Sequence, residues 1–190
     1  MTLLILGLAL FLGVHSVSIV APGWRAAQIK RRGERVWKGG YSLLSLVGFG
    51  LLIYGYGQAR QAPIPVYLPP AALRHLGLLL MLPVFPLLFA AYLPGRIKRT
   101  TQHPMLLAVF LWASSHQLTN GMLADILLFG GFLVWAMADF ISVKCRTTPS
   151  KTPGAPPRAF NDLIALVGGL AVYGFFLFWA HRWLIGVAPL

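Results

Sequence analysis

The chain has 190 residues, of which 57% are hydrophobic and only 11% charged, and its mean hydropathy is +0.72. A soluble domain carries about 25% charged residues, so this composition excludes a water-soluble globular protein and indicates a polytopic membrane protein. The net charge of +12 does not indicate nucleic-acid binding, because the basic residues lie between apolar segments rather than along one polar face.

Six apolar segments reach or approach the length of about 20 residues that crosses a bilayer as a helix. They predict an all-α transmembrane bundle of about six helices, with residues 1–190 forming a single domain. Pro83 and Pro86 lie inside the third segment and predict a kink there. The segments cover approximately residues 3–20, 40–57, 73–93, 104–119, 122–143 and 160–187.

The distribution of lysine and arginine predicts the orientation of these helices. The connections before the second, fourth and sixth segments hold six, three and four of the sixteen basic residues, against three on the other side. By the positive-inside rule, both termini are expected on the non-cytoplasmic side of a bacterial inner membrane. The three basic residues on that side are Arg60, Arg74 and Arg182.

Two of these connections have a distinctive composition. Residues 23–38 are basic, with Trp24 and Trp37 near the ends, and either lie on anionic lipid headgroups or form a solvated topogenic loop. Residues 147–157 read TTPSKTPGAPP and predict a flexible, proline-rich cytoplasmic linker before the last helix. Membrane lipid is therefore an expected partner.

Motifs for covalent haem attachment and for zinc are not found in the sequence. Cys145 is the single cysteine, so no internal disulfide is expected, and there is no CxxCH motif. Paired CxxC and HExxH patterns do not occur either.

The fourth and fifth segments predict two apolar helices hinged at the Asn120-Gly121 dipeptide, a strong turn signal. Ionisable residues are costly inside apolar spans, so each one in this hairpin is a functional candidate. If the two helices run antiparallel from this turn, residues equally far from it lie at the same depth in the membrane. Two histidines then each have an aspartate at their own depth. The two pairs are His116 with Asp125 and His103 with Asp139.

Two histidines lie inside spans, His15 in the first and His116 in the fourth, about 10 Å apart in depth at 1.5 Å per residue. Phe11 and Trp112 precede them by one helical turn and share their helix faces. If the helices face each other, these imidazoles are suited to clasp one iron, and b-type haem suits a site with nitrogen ligands and apolar walls. Asp125 then accepts a hydrogen bond from the second ring nitrogen of His116.

Simpler explanations stay open for each of these residues. His15 and His116 could be neutral and hydrogen-bonded to carbonyls, or to Ser16 and Ser115. Asp125 could pair with Asn120 or Thr119 at the turn. His103 either begins the fourth helix before Pro104 or handles protons in a pocket. The remaining histidines, His75 and His181, fall near the outer ends of their spans, where a second bis-histidine site is conceivable.

Three stretches carry a resemblance to a known family: FLGVHS at 11–16, GERVWKGGYSLLSLVGFGLLIYGYGQAR at 33–60 and PGRIKRTTQHPMLLAVFLWASSHQLTNGMLADILLFGGF at 94–132. Together they resemble the NnrU family, whose relatives include the zeta-carotene isomerases of plants and cyanobacteria. The resemblance covers about residues 3–143, and the pattern HPML…W…H…NG…LLFG is specific to it. Gln117 and Thr119 are more polar than the family pattern.

The resemblance implies a polytopic membrane protein that binds haem b between His15 and His116, with His103 at a further family position. In the isomerases the reduced haem is thought to lose or exchange a ligand and to act on a cis double bond of a polyene. Bacterial members are instead associated with denitrification, through nitrite and nitric oxide reduction.

Three functions follow as hypotheses, and whether the protein is an enzyme stays open. The first is a haem-b inner-membrane protein with bis-histidine ligation, acting in redox or nitrogen-oxide metabolism with an unidentified electron donor. The second is a haem-dependent cis–trans isomerase of a carotenoid-like polyene. The third is a non-haem transporter or assembly factor. A hydrophobic polyene or a nitrogen oxide is accordingly the expected small-molecule ligand.

Overall fold

The computed structural model describes residues 1–145 and 154–190. Residues 147–153 of the predicted linker lie outside the described residues. Within the described ranges every regular element is a helix and no β-strand forms, which confirms the all-α prediction. The helices are α1 (Thr2–Val20), α2 (Pro22–Arg32), α3 (Glu34–Ala59), α4 (Leu73–Met81), α5 (Val84–Tyr92), α6 (Arg96–Thr101), α7 (Pro104–Thr119), α8 (Leu123–Cys145), α9 (Asn161–Phe175), a π-helical turn (Phe176–Ala180) and α10 (His181–Ile185).

Five helical stretches of the described chain are long and apolar enough to cross a membrane. The predicted fourth segment is α7, a helix of 16 residues that is shorter than these five. The number of spans and the side on which the termini lie therefore stay predictions. The five stretches are Thr2–Val20, Glu34–Ala59, Leu73–Tyr92, Leu123–Cys145 and Asn161–Ile185.

The chain forms two compact units. Unit 1 comprises Met1–Pro69 and Asn120–Cys145, and unit 2 comprises Pro70–Thr119 and the described part of Arg146–Leu190. Each unit contains one end of the sequence and one piece from its middle. The prediction of a single transmembrane domain over residues 1–190 is not tested by this division.

Unit 1 is held together by the close approach of α1 and α3. A Cβ atom added to Gly7 would lie 2.6 Å from the backbone nitrogen of Leu52, and one added to Gly48 would lie 2.8 Å from that of Phe11. Small residues at a helix interface let two backbones approach in this way, which favours dispersion contacts where lipid gives no hydrophobic driving force. Leu4 and Leu52 are buried at this seam, and α8 packs on α1 beside it.

The Asn120-Gly121 hinge lies in unit 1 and is fixed by the loop that follows α3. The carbonyl oxygen of Gly121 accepts hydrogen bonds from Val66 N–H at 2.9 Å and Tyr67 N–H at 3.2 Å. The Tyr67 hydroxyl donates to the Asn120 carbonyl oxygen at 2.9 Å. A Cβ at Gly121 would overlap the carbonyl oxygen of Tyr67, so the glycine is required at this turn.

Unit 2 packs α5 against α9 and α4 against α7. Gly169 lets α9 lie directly on Pro86, while Ser115 Oγ donates to the Gly77 carbonyl oxygen at 2.9 Å. The predicted kink in the third segment is present as a break, because α4 ends at Met81 and α5 begins after Pro83. Val84, Leu87 and Ala108 form the buried cluster of this unit.

Residues at the start of α9 are hydrogen-bonded to two other segments of unit 2. Asn161 is 2% exposed, and its amide donates to the carbonyl oxygens of Pro94 at 2.9 Å and Pro156 at 3.1 Å. Next to it, the Asp162 carboxylate accepts from the backbone N–H groups of Arg96 and Ile97. These N–H groups open α6 and have no partner within that helix.

We expect Asn161→Ala to lower the free energy of unfolding by about 1–3 kcal/mol, because two buried carbonyl groups lose their donor. Thermal unfolding in detergent measures the loss. Gln58→Ala is the matched control, since that exposed amide bonds only to the Tyr54 hydroxyl. Equal losses for both variants would contradict the role given to Asn161.

Candidate functional site

The sequence-predicted site residues are divided between the two units. His15, Phe11 and Asp125 lie in unit 1, whereas His103, Trp112 and His116 lie in unit 2. Of the five histidines, His15 is the one in unit 1, all of whose residues are described. The surroundings of each residue are therefore given within its own unit.

His15 is half-buried on α1 and its tautomer is set by the preceding turn. Its Nδ1 lies 2.7 Å from the carbonyl oxygen of Phe11. A carbonyl oxygen can only accept, so Nδ1 carries a proton, and in the neutral form of the ring the lone pair is then on Nε2. Nε2 is thereby prepared to accept a hydrogen bond or to bind a metal ion.

Three aromatic side chains surround the His15 ring. The Phe11 ring centre is 4.3 Å from that of His15, the Tyr41 ring meets it edge-on at 5.2 Å, and the Trp135 ring stands at 90° to it at 6.1 Å. The sequence predicted only Phe11. Tyr41 on α3 and Trp135 on α8 were missed because these helices are apolar almost all round, and their pattern does not show which face packs on α1.

One polar atom of this aromatic group has no partner within the described part of the chain. Trp135 Nε1 is buried and makes no hydrogen bond. An indole N–H can only donate, and a buried donor without an acceptor costs about 1–3 kcal/mol. Few buried polar groups in folded proteins are left in this state.

His116 on α7 repeats the arrangement of His15. Its Nδ1 lies 2.9 Å from the Trp112 carbonyl oxygen, and the two ring centres are 5.5 Å apart. Nδ1 is again the donor in this hydrogen bond, which makes Nε2 the ring nitrogen that a metal would bind. The simpler explanation, in which each histidine is hydrogen-bonded to a backbone carbonyl, is therefore correct for Nδ1. It does not conflict with metal binding through Nε2.

The two serines that the sequence offered as hydrogen-bond partners of these histidines donate to backbone carbonyl oxygens instead. Ser16 Oγ donates to the Leu12 carbonyl oxygen at 2.7 Å, and Ser115 Oγ donates to that of Gly77. The hydroxyls therefore satisfy backbone acceptors on α1 and α4.

The sequence placed His181 near the outer end of the last span, but it did not predict that this ring lies beside that of His116. Its ring centre lies 6.4 Å from that of His116, with the planes 25° apart, and its Nδ1 lies 2.7 Å from the Val187 carbonyl oxygen. The π-helical turn Phe176–Ala180 directly precedes it. Such a turn adds one residue and shifts the face that follows, so a 3.6-residue period does not locate His181.

Asp125 lies at the start of α8 and is 6% exposed. Tyr56 Oη donates to its Oδ1 at 2.6 Å, and the Met122 backbone N–H donates to its Oδ2 at 3.3 Å. The sequence predicted that Asp125 accepts a hydrogen bond from the second ring nitrogen of His116. In the structure that nitrogen, Nδ1, donates to the Trp112 carbonyl oxygen. Asp125 also lines a cavity of about 220 Å³ with Ala59, Arg60, Pro63, Met122 and Ala124.

We expect Tyr56→Phe to lower the free energy of unfolding by about 1–3 kcal/mol, because a buried carboxylate loses its nearest donor. Thermal unfolding in detergent again measures the change. Tyr54→Phe removes a hydroxyl that is bonded only to Gln58 on an exposed surface, and should leave stability unchanged. A similar loss in both variants would show that the Tyr56–Asp125 hydrogen bond contributes little.

His103 lies at the start of α7, as the simpler interpretation expected. Its carbonyl oxygen accepts the hydrogen bond from Leu107 N–H at 3.1 Å, and Pro104 follows it as the first helical residue. Proline suits this position because its missing N–H would have no partner in the first turn. A proton-handling or pocket role for His103 stays a prediction.

Five apolar helical stretches long enough to span a bilayer, one of them carrying His15, together with His116 on the shorter α7, characterise an α-helical membrane protein with candidate metal ligands. The family model described as NnrU protein matches residues 3–189, nearly the whole chain. The chain therefore belongs to the NnrU family. The match confirms the resemblance and extends it through the last helix. No curated protein and no solved structure matches the chain.

Proposed function

We propose that this NnrU-family protein binds haem b in the membrane through histidine side chains and acts in redox or nitrogen-oxide metabolism. The observation that carries the proposal is the common state of His15 and His116. Each donates from Nδ1 to the carbonyl oxygen four residues earlier, so Nε2 is the nitrogen through which either neutral ring would bind iron. A hydrogen bond on the other ring nitrogen is the usual support of a metal-binding histidine.

The surroundings of both histidines suit a flat apolar macrocycle. Phe11, Tyr41 and Trp135 border the His15 ring in unit 1, and Trp112 borders the His116 ring in unit 2. Trp135 Nε1–H adds a donor that has no acceptor among the described residues. Haem b, when bound, supplies a one-electron couple and an iron that binds small nitrogen oxides.

The roles of the protein side chains follow from this chemistry. The imidazoles bind and orient the iron, and the aromatic side chains exclude water. That His15 and His116 are the two ligands of one iron stays a prediction made from the sequence. The electron donor, the polyene isomerase hypothesis and the transporter or assembly-factor hypothesis stay open alternatives.

The test is the absorption spectrum of the detergent-purified protein, oxidised and then reduced. We expect a Soret band that shifts on reduction, and conversion in alkaline pyridine to the spectrum of the haem b derivative. A protein that shows no Soret band after expression with ample haem, and takes up no haem when it is added, would contradict the proposal.

A further inference from the structure

The indole N–H of Trp135 has no acceptor among residues 1–145 and 154–190 and points to a polar group from a bound molecule. Trp135 Nε1 is buried without an acceptor, and in the bilayer core no water is available to take its place. Unlike a serine hydroxyl, an indole N–H cannot turn to bond with its own helix backbone. A bound molecule that brings an acceptor oxygen would recover this cost.

The position of Trp135 relates this donor to the candidate iron ligand. On α8, Phe132 and Trp135 are three residues apart and share a face. Phe132 contacts Phe11 with ring centres 5.8 Å apart, and Trp135 meets His15 at 6.1 Å. Two consecutive turns of α8 thus pack on two consecutive turns of α1, and the unsatisfied donor lies at the level of His15.

We propose that Trp135 Nε1–H donates a hydrogen bond to a propionate carboxylate of the haem whose iron His15 binds. This inference rests on the proposed function. A carboxylate is an acceptor only, and hydrogen bonds to a charged group are about twice as strong as neutral ones.

The experiment compares two porphyrins that differ in their carboxylates. Iron protoporphyrin IX carries two propionates, whereas iron octaethylporphyrin has ethyl groups in their place. Dissociation constants are measured by absorption titration for the full-length protein and for Trp135→Phe. We expect Trp135→Phe to weaken iron protoporphyrin IX binding about tenfold or more and to leave iron octaethylporphyrin binding unchanged. Trp179→Phe, which alters an exposed indole, is the control and should change neither constant.

The outcomes separate this inference from the function on which it rests. If the natural protein binds neither porphyrin, the proposed function fails. If the natural protein binds both porphyrins, haem binding stands. The carboxylate assignment is then overturned if Trp135→Phe weakens the binding of both porphyrins equally, or weakens the binding of neither. Unfolding of the haem-free Trp135→Phe protein checks the fold, and we expect no loss of stability because the indole N–H was unsatisfied. If that variant does not fold, benzothienylalanine at position 135 replaces only the N–H by sulfur and gives the same comparison.

Discussion

His15→Ala is expected to abolish six-coordinate haem and to weaken haem binding more than about 100-fold. Changing a residue that only supports a metal ligand typically costs 10–100-fold in affinity, and removing the ligand should cost more. His15 is the one histidine of unit 1, so no second imidazole of that unit can replace it. The absorption spectrum and the haem content of the purified variant measure both effects.

The control for His15→Ala is His75→Ala, which removes an exposed imidazole from α4. It should retain the spectrum and the haem content of the natural protein. An unchanged low-spin spectrum in His15→Ala would show that the iron is not bound by this residue. A loss of haem in both variants would instead indicate a general loss of structure.

Gly55→Ala is expected to destabilise unit 1 by about 1–3 kcal/mol, the usual cost of overpacking. A Cβ at this position of α3 would overlap the backbone nitrogen of Leu4 and lie 2.6 Å from the carbonyl carbon of Leu3. Backbone atoms cannot turn aside as a side chain can, so the two helices must separate. Thermal unfolding in detergent measures the change.

Gly57→Ala provides a matched control for Gly55→Ala, two residues away on the same helix. Nothing lies within 4 Å of a Cβ built at Gly57, and alanine is the better helix former by about 1 kcal/mol. Gly57→Ala should therefore be neutral or stabilising. Equal stability of the two variants would contradict the close α1–α3 contact.

The helices and their interruptions were largely predictable because they depend on local sequence. Apolar length predicted α1 to within one residue at its start, and the Asn120-Gly121 dipeptide lies between α7 and α8 as expected. Proline marked the break at Pro83. The second segment was predicted from residue 40, but α3 begins at Glu34, because Arg35 and Lys38 continue the helix beyond its apolar part.

Contacts between distant segments were the part that the sequence could not provide. A soluble helix shows its buried face as an apolar stripe, but a helix that faces lipid is apolar all round. Such a pattern does not predict the ring contact between Trp135 and His15, nor the hydrogen bond from Tyr56 to Asp125. The contact of His181 with His116 was missed for a different reason, since the π-helical turn before His181 breaks the period by which its helix face would be assigned.

The central claim is that histidine nitrogen binds iron in this protein, and isotope labelling tests it directly. The protein is produced with ¹⁵N-histidine while the porphyrin nitrogens remain ¹⁴N, and pulsed electron paramagnetic resonance of the ferric state resolves the nitrogens coupled to the iron. We predict strong axial couplings that change from the ¹⁴N to the ¹⁵N pattern on labelling. Couplings that stay entirely ¹⁴N in a haem-loaded sample would contradict the account.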